Sequence, residues 1–187
     1  MSKPAKVAVL VGSLRKGSFN RKAAEAIAAL APSNLSFEFV EIGDLPLYNQ
    51  DFDGLDPQPA PYVSFRDRIK AADAVLFVTP EYNRSVPGVL KNAVDVGSRP
   101  WGHSVFKGKP AAIVSVSPGG IGGFGASNHL RQSLTFLDMP LLNQPEMYIG
   151  GAGEMFAEDG SLKSEATRTF FTSFAAAFAA WIDRTRA

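Results

Sequence analysis

The stretch Val7-Ala8-Val9-Leu10-Val11-Gly12-Ser13-Leu14-Arg15-Lys16-Gly17-Ser18-Phe19-Asn20 decides the fold. Val7 to Val11 is an unbroken apolar run, the pattern of a strand buried on both faces of a parallel sheet. An alanine-rich helical pattern follows over residues 20–31 and stops at Pro32. The loop between them carries glycine, hydroxyl, amide and cationic residues, and no Asp or Glu. A helix that begins after such a loop points free amides and the positive end of its dipole at whatever binds there. Ser13, Ser18 and Asn20 add donors, and Arg15 offers a guanidinium fork to an anion. The loop reads as a phosphate site. It lacks the Gly-Lys-Ser/Thr ending of nucleoside-triphosphate loops. It also lacks G-x-G-x-x-G, because position 14 is Leu and the next glycine is Gly17.

Working outward, strands alternate with helices. Residues 35–42 (LSFEFVEI) alternate apolar and polar, as a half-buried strand does. Residues 43–62 are rich in Asp, Pro, Gly and Gln and read as a long loop, followed by a helix over Val63–Ala72. Ala74–Thr79 and Ala111–Val116 are further buried strands. Between them Ser85 is expected to cap a helix that runs to Val96 and stops at Gly97, with Pro87 in its first turn. The glycine-dense loop Ser117–Gly123 leads to a helix over Ala126–Leu137. Leu141, Leu142 and then Met147-Tyr148-Ile149 supply a fifth strand, and a helix covers Ser164–Arg184. In that helix Phe170, Phe171, Phe174, Phe178 and Trp181 are expected to form one core-facing stripe. The pattern predicts an α/β fold: a doubly wound parallel sheet of five strands, flavodoxin-like order 2-1-3-4-5, helices on both faces. Its length of 187 residues suits one domain spanning residues 1–187.

Composition narrows the function. Hydrophobic residues make up 45%, charged residues 20%, and the net charge is +1, so nothing suggests a nucleic-acid partner. There is no cysteine, which excludes disulfides, thiol catalysis and thiolate metal sites. His103 and His129 are the only histidines, so no metal site is expected, and both read as structural. Met1-Ser2-Lys3-Pro4 runs into the first strand without a secretory pattern, and no apolar run reaches membrane-spanning length. A cytoplasmic protein without a membrane partner is expected.

In the expected strand order, the loops that leave strands one, three and four lie side by side at the switch point, where such sheets bind ligands. These are the phosphate loop, Thr79-Pro80-Glu81-Tyr82-Asn83-Arg84-Ser85, and Ser117-Pro118-Gly119-Gly120. The second and third offer exposed backbone and small residues to a flat ring. A ligand with a phosphate at one end and a planar ring at the other matches the set.

These motifs, with Ser85-Val86-Pro87-Gly88, Leu90-Lys91-Asn92-Ala93, Gly108-Lys109-Pro110, His129-Leu130-Arg131-Gln132 and Pro145-Glu146, resemble the NADPH-dependent FMN reductase family, chromate/quinone reductase branch. The resemblance implies FMN, NADPH or NADH as donor, and two-electron, ping-pong reduction of quinones, chromate and similar metal oxyanions, free flavins or azo compounds. It also implies a homodimer or homotetramer. By position, Ser13, Arg15, Ser18 and Asn20 would hold the FMN phosphate, with Phe19 beside them. Pro80, Glu81, Tyr82 and Asn83 would pass along the isoalloxazine through backbone groups, and Ser117, Pro118, Gly119 and Gly120 would border its other side. No side chain is expected to be catalytic beyond the flavin itself. Glu81 is read as a solvated or capping carboxylate before a proton donor. Tyr82 is either a ring-lining or an interface tyrosine. Arg131 and Glu146 are either an intersubunit ion pair or separate surface charges. Arg84, Gly125 and Asn128 depart from the branch's pattern, and Arg84 at the rim is the candidate for the NADPH 2′-phosphate. A flavodoxin-type electron carrier is the alternative, although such carriers are strongly acidic.

Overall fold

The computed structural model describes residues 4–186. The elements follow in chain order: β1 (Ala5–Val11), α1 (Phe19–Leu30), β2 (Leu35–Phe39), α2 (Ala60–Lys70), β3 (Ala74–Thr79) and α3 (Gly88–Gly97). Then come β4 (Ala111–Val116), α4 (Phe124–Phe136), β5 (Met147–Ile149) and α5 (Glu165–Thr185). The sheet is parallel throughout, with five strands in the order β2-β1-β3-β4-β5. This is the flavodoxin-like order that the alternation predicts.

The β3 and β4 side chains are all buried, which explains their continuous apolar sequences. Alternate residues of β1 feed two cores. Val7, Val9 and Val11 pack under α1 and α5, with Phe171, Phe174 and Phe178. Ala8 and Leu10 face α2, α3 and α4, with Tyr62, Phe65, Leu90 and Leu130. The expected aromatic stripe is therefore narrower than its spacing suggested. Phe170 is 41% exposed, and Trp181 is half-buried with its indole N–H donating to the Pro140 carbonyl at 3.0 Å. At helical spacing Phe170 and Trp181 fall together at one edge of the arc that buries Phe171, Phe174 and Phe178.

Other boundaries shift for local reasons. The ladder of β2 ends at Phe39, and one more bond, Val40 N to Val9 O, precedes the turn away from the sheet. Helix α2 starts at Ala60, earlier than expected, because Pro61 is compatible with a first turn. Ser85 does not cap α3. Pro87 occupies that position, and the Ser85 hydroxyl instead lies 3.0 Å from His129 Nδ1. Leu141 makes only an isolated bridge to Ala111, so β5 is confined to Met147–Ile149.

The long segment before α2 is irregular but anchored. Asn92, buried on α3, accepts from Tyr48 N at 2.8 Å and donates to the Leu45 and Pro46 carbonyls at 3.3 and 3.0 Å. Buried Arg66 donates to the Val96 carbonyl at 2.9 Å and to the Gln58 side chain. Asn92→Leu strands these backbone groups and is expected to cost about 2 kcal/mol. A urea-midpoint comparison checks this, and an unchanged midpoint would remove Asn92 as the anchor.

Candidate FMN site

Hydrogen bonding along β1, β3 and β4 brings their carboxyl ends to one edge. Val11 pairs with Val78, Thr79 pairs with Ser115, and Gly12 N donates to the Val78 carbonyl at 2.8 Å. The loops that leave these ends enclose a cavity of about 510 Å3. Ser13, Arg15, Ser18, Phe19 and Asn20 line it from the first loop. Pro80, Glu81 and Tyr82 line it from the second, and Ser117 and Pro118 from the third. Asn83, Gly119 and Gly120 do not line it, although they belong to the same loops and are exposed. Val116 lines it and was not anticipated. Its place as the last residue of a buried strand was the available signal.

The first loop ends at a helix N-terminus whose first turn carries no acid. Ser18 is the N-cap of α1, its hydroxyl oxygen accepting from Arg21 N at 3.3 Å. No acidic residue lies in the first turn, so nothing offsets the positive helix end. Asn20 also makes a bond within the fold. Its amide NH2 donates to the Val116 carbonyl at 3.3 Å, tying α1 to the end of β4. Its Oδ1 is buried without a partner. The free Oδ1 offers a ligand an acceptor, which suits a hydroxyl, while the first-turn backbone N–H of Asn20 remains a donor for an anion.

The second loop docks on α4. Tyr82 and Ser85 exchange backbone bonds of 3.1 and 3.0 Å around Asn83 and Arg84, whose φ values are 50° and 64°. Two successive left-handed residues match the tight turn of primed type. Glu81 Oε2 accepts from Ala126 N in the first turn of α4 at 3.1 Å, and Oε1 pairs with Arg84 Nη1 at 3.1 Å. Glu81 is thus a capping carboxylate. The Ser85–His129 bond is a second tie to α4. Gly125 makes the close approach possible: a Cβ there would lie 2.8 Å from the Arg84 carbonyl oxygen and 2.9 Å from Glu81 Oε2. Gly125 and the Arg84 carbonyl therefore pack closely. Asn128 donates to the Phe124 carbonyl at 2.8 Å.

The third loop needs its glycines for a similar reason. Gly122 has φ +67°, and a Cβ would lie 2.6 Å from the Tyr148 carbonyl carbon. Arg131 and Glu146 do not meet within the chain. Arg131 donates to Asn143 Oδ1 at 3.0 Å, and Glu146 accepts from the Tyr148 hydroxyl at 2.9 Å. Burial first, and then the Glu146 bond, raise the Tyr148 pKa.

The sequence profile of NADPH-dependent FMN reductases matches residues 5–154. The chain belongs to that family. It is 59% identical over 187 residues to a quinone reductase of Pseudomonas putida, covering all of both chains. It is 52% identical over 177 residues to a 2-hydroxy-1,4-benzoquinone reductase of a Burkholderia species, covering 95% of this chain and 96% of the other. Among solved structures it superposes on FerB, a flavoenzyme NAD(P)H:(acceptor) oxidoreductase from Paracoccus denitrificans, with TM-score 0.89 and 44% identity. That match covers 97% of this chain and 98% of FerB.

The reductase's cavity fits FMN on its own chemistry. An acid-free helix N-terminus suits the phosphate, and the unpartnered Asn20 Oδ1 suits a hydroxyl of the sugar chain. The cap by Glu81 is open to test by denaturation. Glu81→Ala exposes Ala126 N and the α4 end and is expected to cost about 1–2 kcal/mol. Glu81→Gln keeps an acceptor and should lose clearly less. Equal losses would show that the cap is not what Glu81 provides.

Proposed function

We propose that this reductase uses NAD(P)H to reduce quinones by two electrons through FMN in the cavity at the β1/β3/β4 edge. The reading rests on one observation: three loops enclose a single cavity with a phosphate-type helix N-terminus among its walls. The quinone-reductase relatives support the choice of acceptor. When bound, FMN supplies the ring that takes up reducing equivalents and passes them on. The chain's own residues bind, orient and shield. Ser13, Ser18 and the α1 amides would hold the phosphate, with Arg15 as its counter-charge, and Asn20 Oδ1 would accept from the sugar chain. Pro80, Glu81 and Tyr82 form the proposed wall beside the ring, with Ser117 and Pro118 opposite, and Asn83, Gly119 and Gly120 continue those loops outside the cavity.

No protein acid is needed, because a reduced quinone takes its protons from water. Both Glu81 oxygens are engaged as acceptors, in keeping with a positioning role. The proposal extends to chromate and other metal oxyanions, free flavins and azo compounds as further acceptors. It extends also to a single FMN-binding domain over residues 1–187 and a cytoplasmic location. Among the described residues, no helix is long and apolar enough to cross a membrane. A homodimer or homotetramer is proposed as well, with Arg131 and Glu146 as candidate interface charges. Trp101 and Phe136, exposed and 6.4 Å apart between ring centroids, are apolar surface that such an assembly would cover.

Arg84 is the proposed NADPH-selecting residue. Its guanidinium is steadied by Glu81 while its side chain stays 71% exposed, leaving donors free for a 2′-phosphate.

Two measurements test these readings. The purified protein is expected to show a flavin spectrum that bleaches anaerobically with NADPH and returns on adding one equivalent of benzoquinone. A colourless chain that takes up no FMN would refute the function. Arg84→Tyr is expected to lower the kcat/KM ratio of NADPH to NADH by about fivefold to tenfold, as for one exposed charge-assisted contact. An unchanged ratio would sink the role given to Arg84.

A further inference from the structure

Arg15 is exposed, and its recorded hydrogen bond is a long one, from Nη1 to the Lys16 carbonyl at 3.3 Å. What steadies it is an aromatic face. The guanidinium carbon lies 5.0 Å from the centroid of the Phe19 ring. Phe19 in turn stacks on Phe156, with centroids 6.5 Å apart and planes 7° from parallel. Lys22 Nζ lies 5.8 Å over the Phe156 ring. A cation, two rings and a second cation thus form a continuous run from the cavity along the first turns of α1, with the buried Phe156 ring beneath.

Phe156 comes from the segment after β5, beyond residues 5–154 that match the family profile. That segment is not a loose connection. Phe156 is buried and bridges Leu162, Ala157 N donates to the Ser161 carbonyl at 2.9 Å, and Lys163 N donates to the Met155 carbonyl at 3.0 Å. Asp159 closes the turn by accepting from Ser161 N and Oγ at 2.9 and 2.7 Å. These bonds lower the Asp159 pKa, so its acceptor form is the one the turn favours.

We infer that Phe156 is a positioning residue for Arg15. Its ring backs Phe19, and Phe19 holds the guanidinium at the phosphate end of the cavity. An exposed arginine samples many rotamers, and ordering it on an anion costs that freedom. A fixed aromatic platform limits the rotamers beforehand and adds cation–π attraction. The segment beyond the family-matched region thereby sets how tightly a phosphate-bearing flavin is held. This rests on the reading of the cavity as an FMN site.

The test compares two flavins that differ only in the phosphate. The full chain, freed of flavin, is titrated with FMN and with riboflavin while flavin fluorescence is followed. Phe156→Leu is expected to weaken FMN by about threefold to fivefold, the scale of one exposed cation–π contact, and to leave riboflavin unchanged. Arg15→Ala is expected to weaken FMN, and adding Phe156→Leu to it should bring no further loss. Phe156→Tyr, which keeps the ring, should retain wild-type affinity. Far-UV circular dichroism checks folding, and Phe156→Met replaces Phe156→Leu if the latter does not fold. Parallel loss of riboflavin, additive loss in the double variant, or no loss of FMN would each overturn the inference. A wild-type chain that binds neither flavin would refute the FMN reading itself.

Discussion

The parallel hydrogen-bond ladder from β1 through β3 to β4 is the constraint on which the site depends. The register Val11↔Val78 and Thr79↔Ser115 brings the three strands to a common edge. The chain passes from β2 back across β1 to β3, so the connections on either side of β1 leave in opposite directions and open a crevice. Every residue that lines the cavity is at or just beyond the end of one of these strands, or in the first turn of α1. Because the strands are buried on both faces, their ends have little freedom to drift. The loops inherit that precision.

The loops are then fastened to one another by polar contacts and close backbone approaches. Asn20 ties α1 to Val116 on β4, and Glu81 ties the β3 loop to the amide end of α4. Gly125 and Gly122 permit approaches that a Cβ would block. This arrangement gives the carboxylate in the cavity wall a capping role. A helix N-terminus has free donors and a positive end, and Glu81 answers both. The left-handed turn at Arg84 turns its carbonyl toward α4 at the position where Gly125 leaves room.

Much of this was legible in the chain. The apolar runs of β1, β3 and β4 are long, continuous and punctuated by glycine and proline, so fold and strand order followed from them. The acid-free loop before α1 was equally plain, because its lack of Asp and Glu just before a helix is a local property. Less legible were contacts made by residues distant in sequence. Ser85 looked like a helix cap and is instead a partner of His129, 44 positions away. Phe170 had the spacing of a core residue, yet only a packed neighbour decides which arc of α5 is covered. Asn20 was read as a phosphate donor from its place in the loop, but the direction of its amide depends on the Val116 carbonyl.

Sequence by itself determined the doubly wound sheet, the loops at its carboxyl edge and the polar, acid-free character of the first loop. Each of these depends on periodicity or on residues adjacent in the chain. Tertiary structure decided which groups remain free to meet a ligand: the acceptor of Asn20, the capped state of Glu81, the steadied guanidinium of Arg84 and the Phe156 platform under Arg15 and Phe19. The physical reason is that a polar group's role depends on which of its bonds the fold has already satisfied. Those partners are brought together only when the separate elements pack.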